Sequence, residues 1–176
     1  MSTPTSTRRT FDKRRALVGS LTILALLIIG ALWQREHPFS IQTSTDIDAS
    51  PAEVWEVLTD FEAYPEWNLT LIGMTGEVEE GATLSFSTGD MDFTPTVLEV
   101  VPERALRWEG HVVVIGLFDG EHQFTLEELD DGGTRFTQRE DFRGILVPFF
   151  SGTLTDETAP SFHEMNAALR ERAEGL

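Results

Sequence analysis

The chain of 176 residues contains no cysteine. Disulfides, Cys-based zinc sites and a thiol nucleophile are therefore excluded. Lysine is absent after Lys13, and only one tyrosine occurs. From Arg35 onward there are 8 Arg against 29 Asp or Glu. Nucleic acid is not an expected partner, because its phosphates need the opposite charge. Such an acidic surface repels itself in dilute buffer and is tolerated where salt screens it. We read the composition as that of a halophilic source, the alternative being an acidic protein from a high-GC organism. Metal-ligand spacing is missing around His37, His111, His122 and His163. There is no Gly-x-Ser-x-Gly elbow and no Gly-rich phosphate loop. No cofactor is expected. The acidic run containing Glu77, Glu79 and Glu80 reads as solvated surface before it reads as a weak cation site.

What is present begins with charge. Arg8, Arg9, Lys13, Arg14 and Arg15 make residues 1–15 basic. They precede an uncharged run from Ala16 to Trp33. Eighteen such residues lie at the lower edge of what spans a bilayer, and Trp33 stands where an interfacial anchor would. The sequence thus predicts a single-pass membrane anchor over residues 16–33. The basic tail is then cytoplasmic, and everything C-terminal lies on the non-cytoplasmic side. A cleaved signal peptide is the competing reading, and the cleavage match at Ile29-Gly30-Ala31 is poor. Residues 34–39, with Pro38, read as a linker, and residues 40–176 as one domain.

That domain starts with an alternating segment, Ser40 to Asp48. Ser50-Pro51-Ala52-Glu53 follows, a helix start in which Ser50 and Glu53 can cap each other and proline suits the first turn. Val54, Leu58 and Phe61 then share one helical face. Tyr64-Pro65-Glu66-Trp67 predicts a second short helix or turn. From Leu71 the sequence reads as six strands, at about 71–79, 82–88, 91–101, 104–112, 118–129 and 134–143, separated by turn residues. Short connections imply an antiparallel meander. A final helix over about 154–174 carries Leu154, Phe162, Met165, Leu169 and Ala173 at helical spacing, with a kink or restart expected at Pro160. The expected fold is α+β, with a curved seven-stranded antiparallel sheet around a long C-terminal helix. A sheet that grips one helix tends to leave an apolar hollow.

Strand alternation assigns the faces. Phe118, His122, Phe124 and Leu126 share one face of their strand with Gly120, and Phe136, Gln138, Glu140 and Phe142 share one face of the next. These aromatic faces should look inward. A three-residue turn at Asp130–Gly132 places His122 opposite Glu140, and one at Asp131–Gly133 places it opposite Phe142. Either brings the imidazole near the carboxylate. The two can satisfy each other structurally, orient a ligand, or act as acid and base. They are the only candidates for catalysis, and weak ones. Trp55, Tyr64, Trp67, Phe86, Phe93, Trp108, Phe162 and Met165 complete the candidate ligand-binding set with Phe118, His122, Phe124, Gln138, Glu140 and Phe142. Leu84 and Leu106 alternate correctly to line the same hollow. Residues 112–118 read equally well as buried strand or entrance loop.

The segments Ser50-Pro51-Ala52-Glu53-Val54-Trp55, Asp60-Phe61 with Tyr64-Pro65-Glu66-Trp67-Asn68, Leu106-Arg107-Trp108, Phe118 to Phe124 and Phe162 to Leu169 carry a resemblance. The chain from Ser40 to Gly175 resembles the polyketide cyclase/dehydrase and lipid-transport group of the SRPBCC superfamily. That resemblance implies the helix-grip, or START-like, fold and an apolar ligand. The function expected is a membrane-anchored binding module for a small hydrophobic ligand, lipid- or polyketide-like. The alternatives are a cyclase- or dehydrase-like enzyme using His122 and Glu140, and an interaction domain with a filled core.

Overall fold

The computed structural model describes residues 13–89, 91–112 and 114–175. Most of the basic tail, residues 1–12, lies outside them, as does Val113 of the run at 112–118.

Helix α1 (Lys13–Glu36) contains the uncharged run. Among the described residues no helix is long and apolar enough to cross a membrane. This overturns the anchor over 16–33 and the placement of tail and domain on opposite sides of a bilayer. The physical reason is reach and composition. Eighteen helical residues span only about 27 Å of the roughly 30 Å hydrocarbon layer. Gly19, Ser20, Thr22 and Gly30 dilute that stretch further. The helix also runs on to Glu36, which shortens the expected linker to residues 37 and 38 before strand β1 (Phe39–Ile47).

Helix α2 (Pro51–Thr59) begins as its sequence predicts. Ser50 Oγ accepts from the Glu53 amide at 3.4 Å, and Glu53 Oε2 accepts from the Ser50 amide at 2.8 Å. Val54, Val57 and Leu58 are buried. The short α3 (Tyr64–Trp67) drives Tyr64 into the core, 1% exposed, where its hydroxyl donates to the Leu58 carbonyl at 2.6 Å.

Among the described residues the strands number eight, in two sheets, and not seven in one. Strands β2 (Ile72–Thr75), β3 (Ser85–Thr88) and β4 (Met91–Phe93) form a small antiparallel sheet. Strands β5 (Thr96–Val101), β6 (Ala105–His111), β7 (Asp119–Glu128) and β8 (Thr134–Arg143) join β1 in a larger one, ordered β1-β8-β7-β6-β5. The predicted strand 91–101 is divided at Pro95, which has no amide hydrogen to give a ladder. The sheets still meet there. Leu84 donates to the Pro95 carbonyl and Val97 to the Ala82 carbonyl, each at 2.9 Å.

Helix α4 (Val147–Glu174) packs across β1 and against α2. It starts seven residues before the expected point and continues through Pro160 as one element. Two apolar clusters result. The larger holds Leu58, Tyr64, Leu106, Phe124, Phe136, Met165 and Leu169. The smaller holds Ile41, Phe142, Val147 and Phe162.

Burial holds the Tyr64 phenol far above its ordinary value, because phenolate cannot be solvated there. The sign follows from proton counting. Above about pH 10 the unfolded tyrosine loses its proton while the folded one keeps it. The unfolded state then binds fewer protons, so stability falls by about 1.4 kcal/mol per pH unit. Tyr64 is the one tyrosine of the chain. Its phenolate absorbance is therefore expected to appear together with loss of circular dichroism in an alkaline titration. Absorbance that rises near pH 10 with the fold intact refutes the burial argument.

Candidate functional site

The larger sheet places three inward side chains in one row. Trp108 on β6 is in register with His122 on β7, and His122 with Glu140 on β8. Of the two registers left open by the sequence, the structure takes the one with the turn over Asp130–Gly132. The turn closes with Leu129 donating to the Gly133 carbonyl at 2.8 Å, and Gly132 has φ +89°.

His122 Nδ1 meets Glu140 Oε2 at 2.5 Å. Its Nε2 lies 3.2 Å from Gln138 Nε2. The ring stacks on Trp108 with centroids 5.0 Å apart, and Phe124 and Phe162 present edges to it at 4.6 and 5.2 Å. Both nitrogens of the imidazole are thus engaged and its faces are covered. Glu140 differs. Its Oε1 has no hydrogen bond among the described residues, and it lies where a Cβ on Gly120 would come within 2.5 Å. Gly120 leaves the room that this carboxylate occupies. Of the pair, Glu140 presents an atom to the interior space and His122 orients it.

That space is a cavity of about 430 Å³ between the sheets and α4. It is the hollow expected from the sequence, and it counts against the alternative of a filled core. Phe86, Phe93, Trp108 and Phe142 line it from the strands, and Phe118 from the loop before β7. His122, Gln138 and Glu140 supply the polar part of that wall, and Phe162 closes it from the helix. Gly110 and Gly120, paired across β6 and β7, keep that same sheet wall low.

Five of the predicted ligand-binding residues do not line the cavity. Tyr64, Phe124 and Met165 are core, at 2% exposure or less. Trp55 and Trp67 pack at the edge of the larger cluster beside α2 and α3. Leu84 and Leu106 are fully buried core as well. The physical reason is depth. Alternation says which face a side chain shares, and not how far along the strand the helix leaves the sheet. Phe124 is one inward position beyond His122, already under α4, and it stacks on Phe136.

Sequence reasoning missed the helical side of the wall, Leu154, Glu157, Thr158 and Ser161. The signal was there, since these positions recur at helical spacing on the face shared with Phe162. It also missed the rim at Thr70, Leu71, Thr88, Gly89 and Met91. Residues 112 and 114–118 lie in a loop and not a strand. Val112 and Phe118 face the cavity, while Val114 and Ile115 are exposed. Phe149 and Phe150 are exposed on the first turn of α4.

The outer face of the same sheet carries the opposite character. Arg107 bonds Glu99 at 3.1 Å and Glu121 at 2.9 Å. Arg143 bonds Glu121 and Asp141, and Arg139 bonds Asp141. The hydrogen bond that Arg107 donates to Glu121 holds the guanidinium protonated beyond its ordinary range.

The family described as polyketide cyclase / dehydrase and lipid transport matches residues 38–174. No protein of curated function matches the chain in sequence. Among solved structures, a hypothetical protein from Helicobacter pylori is 14% identical, with a TM-score of 0.64 over 76% of this chain and 86% of that one. A putative protein of the dynemicin biosynthetic locus is 19% identical, with a TM-score of 0.59 over 77% of this chain and 47% of that one. A Thalictrum norcoclaurine synthase point mutant, solved with a transition-state analogue, is 11% identical, with a TM-score of 0.59 over 76% of this chain and 92% of that one. At these identities the likeness is one of fold.

Proposed function

We propose a ligand-binding function for this chain, which belongs to the polyketide cyclase / dehydrase and lipid transport family. The ligand is a small hydrophobic molecule held between the curved sheet and α4, with one polar group directed at Glu140. The observation that carries this reading is the cavity itself. At about 430 Å³ it falls in the range of small-molecule sites, and its lining is aromatic with a few convergent polar groups. An apolar hollow of this size lacks the packing contacts of a solid core. A ligand that fills it gains that contact and removes aromatic surface from water.

The test uses the full chain and the neutral fluorescent probe N-phenyl-1-naphthylamine. Saturable binding at one site is expected, with quenching of Trp108 emission as the probe fills. Thr158→Trp puts an indole into the cavity from a half-buried position on α4. It should weaken probe affinity at least about tenfold, with the urea unfolding midpoint close to wild type. Binding that Thr158→Trp leaves unchanged, or no saturable binding, counts against the cavity as the ligand site.

A further inference from the structure

We infer that the cavity selects organic cations, specifically an apolar molecule carrying a protonated amine that meets Glu140 Oε1. This rests on the ligand-binding reading above and adds the chemical class of the ligand.

The first argument is the separation of charge by strand alternation. Arg107, Arg139 and Arg143 all point to the outer face, where Glu99, Glu121 and Asp141 neutralise them. The inner face carries Glu140 with no arginine. The cavity wall has no Lys or Arg among the described residues, and its second charged member, Glu157, is also acidic.

The second argument is the proton count at the pair. Gln138 Nε2 also lies 3.6 Å from Met165 Sδ. A thioether accepts and never donates, so the amide nitrogen belongs on that side. With the amide turned that way, the same nitrogen donates to His122 Nε2 as an unprotonated acceptor, and Gln138 Oε1 is left without a partner among the described residues. The one ring proton sits on Nδ1 and points at Glu140 Oε2. In that tautomer the imidazole is neutral and the carboxylate keeps its negative charge. Its side chain is only 18% exposed. A half-buried anion without a counter-charge is costly, and a cation entering the cavity relieves that cost.

The third argument is the surrounding surface. Trp108, Phe118, Phe142 and Phe162 offer ring faces and edges within the same space. Aromatic faces attract ammonium groups, most strongly when desolvated. A hydroxyl would also donate to Oε1, but a charge-assisted bond is about twice as strong as a neutral one. A carboxylate ligand would be repelled.

The experiment displaces N-phenyl-1-naphthylamine from the full chain with three probes of one ring system. These are 1-naphthylmethylamine, protonated at neutral pH, 1-naphthalenemethanol and 1-naphthoic acid. About 0.5 M salt screens the general negative field of the protein to a few ångströms. The amine should displace at a concentration about tenfold lower than the alcohol, and the acid should be weakest. Glu140→Gln should bring amine and alcohol to within about twofold, while Glu103→Gln on the exposed surface keeps the preference. Equal displacement by amine and alcohol in the wild-type chain overturns the inference without any variant, and the ligand-binding reading survives because the fluorescent probe still binds. A preference that persists in Glu140→Gln also overturns it, since the selectivity then comes from elsewhere. Failure of the fluorescent probe to bind overturns both.

Discussion

His122→Ala is expected to lower the stability of the domain by about 3 to 5 kcal/mol, read from the urea unfolding midpoint. Two losses combine. The ring is 5% exposed and packed against Trp108, Phe124 and Phe162, so its removal leaves a void that these large groups cannot close. The second loss is electrostatic. Glu140 Oε2 loses its donor, and the Gln138 amide loses its acceptor. An orphaned half-buried carboxylate costs more than the original bond contributed. The two losses separate in a cycle. Adding Glu140→Ala to the His122→Ala chain should recover part of the stability, so that the double variant is less destabilised than the sum of the singles. Gln123→Ala, on the outer face of the same strand, should stay within about 0.5 kcal/mol of wild type. A loss under about 1 kcal/mol for His122→Ala would mean that water replaces the ring without cost, and that the polar row is not built into the fold.

The row itself was legible. Period-two alternation in residues 118–126 and 136–142 assigns His122, Gln138 and Glu140 to one apolar face, and two short turns were the only registers to weigh. The helix start at Ser50 was legible for the same reason, because capping is a local contest decided by neighbours three residues apart. Depth was not legible. Trp55, Tyr64 and Trp67 are apolar enough to be buried, but nothing local says whether a buried ring meets the core or a hollow. Tyr64 reaches the Leu58 carbonyl and Trp67 stays beside α2, both away from the cavity. The single sheet failed at Pro95, where a proline that reads as an edge feature divides one run into two strands. The anchor failed because no helix among the described residues is long and apolar enough to cross a membrane, and the 24-residue α1 is apolar over only part of its length. The onset of α4 was missed because residues 147–153 are rich in Pro, Phe, Ser and Gly, which are not strong helix formers.

Gly144→Ala should be the most damaging single methyl at the cavity mouth. Gly144 has φ +125°, and a Cβ there would meet the Leu117 carbonyl oxygen at 2.5 Å, the Leu117 carbonyl carbon at 2.6 Å and the Phe118 nitrogen at 2.9 Å. All three are backbone atoms, so no side chain can swing aside. The segment is also fastened. Ile145 donates to the Gly116 carbonyl at 3.3 Å and Leu146 to the Leu117 carbonyl at 3.2 Å. These bonds tie the start of α4 to the loop that carries Phe118. An alanine must break one side of that strap or distort both, at about 2 to 4 kcal/mol. Gly116→Ala is the control. It has φ +85° but nothing within 4 Å of the added carbon, so it bears only the backbone cost, about 1 kcal/mol. Equilibrium unfolding of the two variants isolates the steric part, and amide exchange at Ile145 and Leu146 locates it. Faster exchange at those two amides in Gly144→Ala, with the β7–β8 ladder still protected, is the expected pattern. Equal destabilisation by the two substitutions would show that the loop yields freely, and that the mouth of the cavity is not held by this strap.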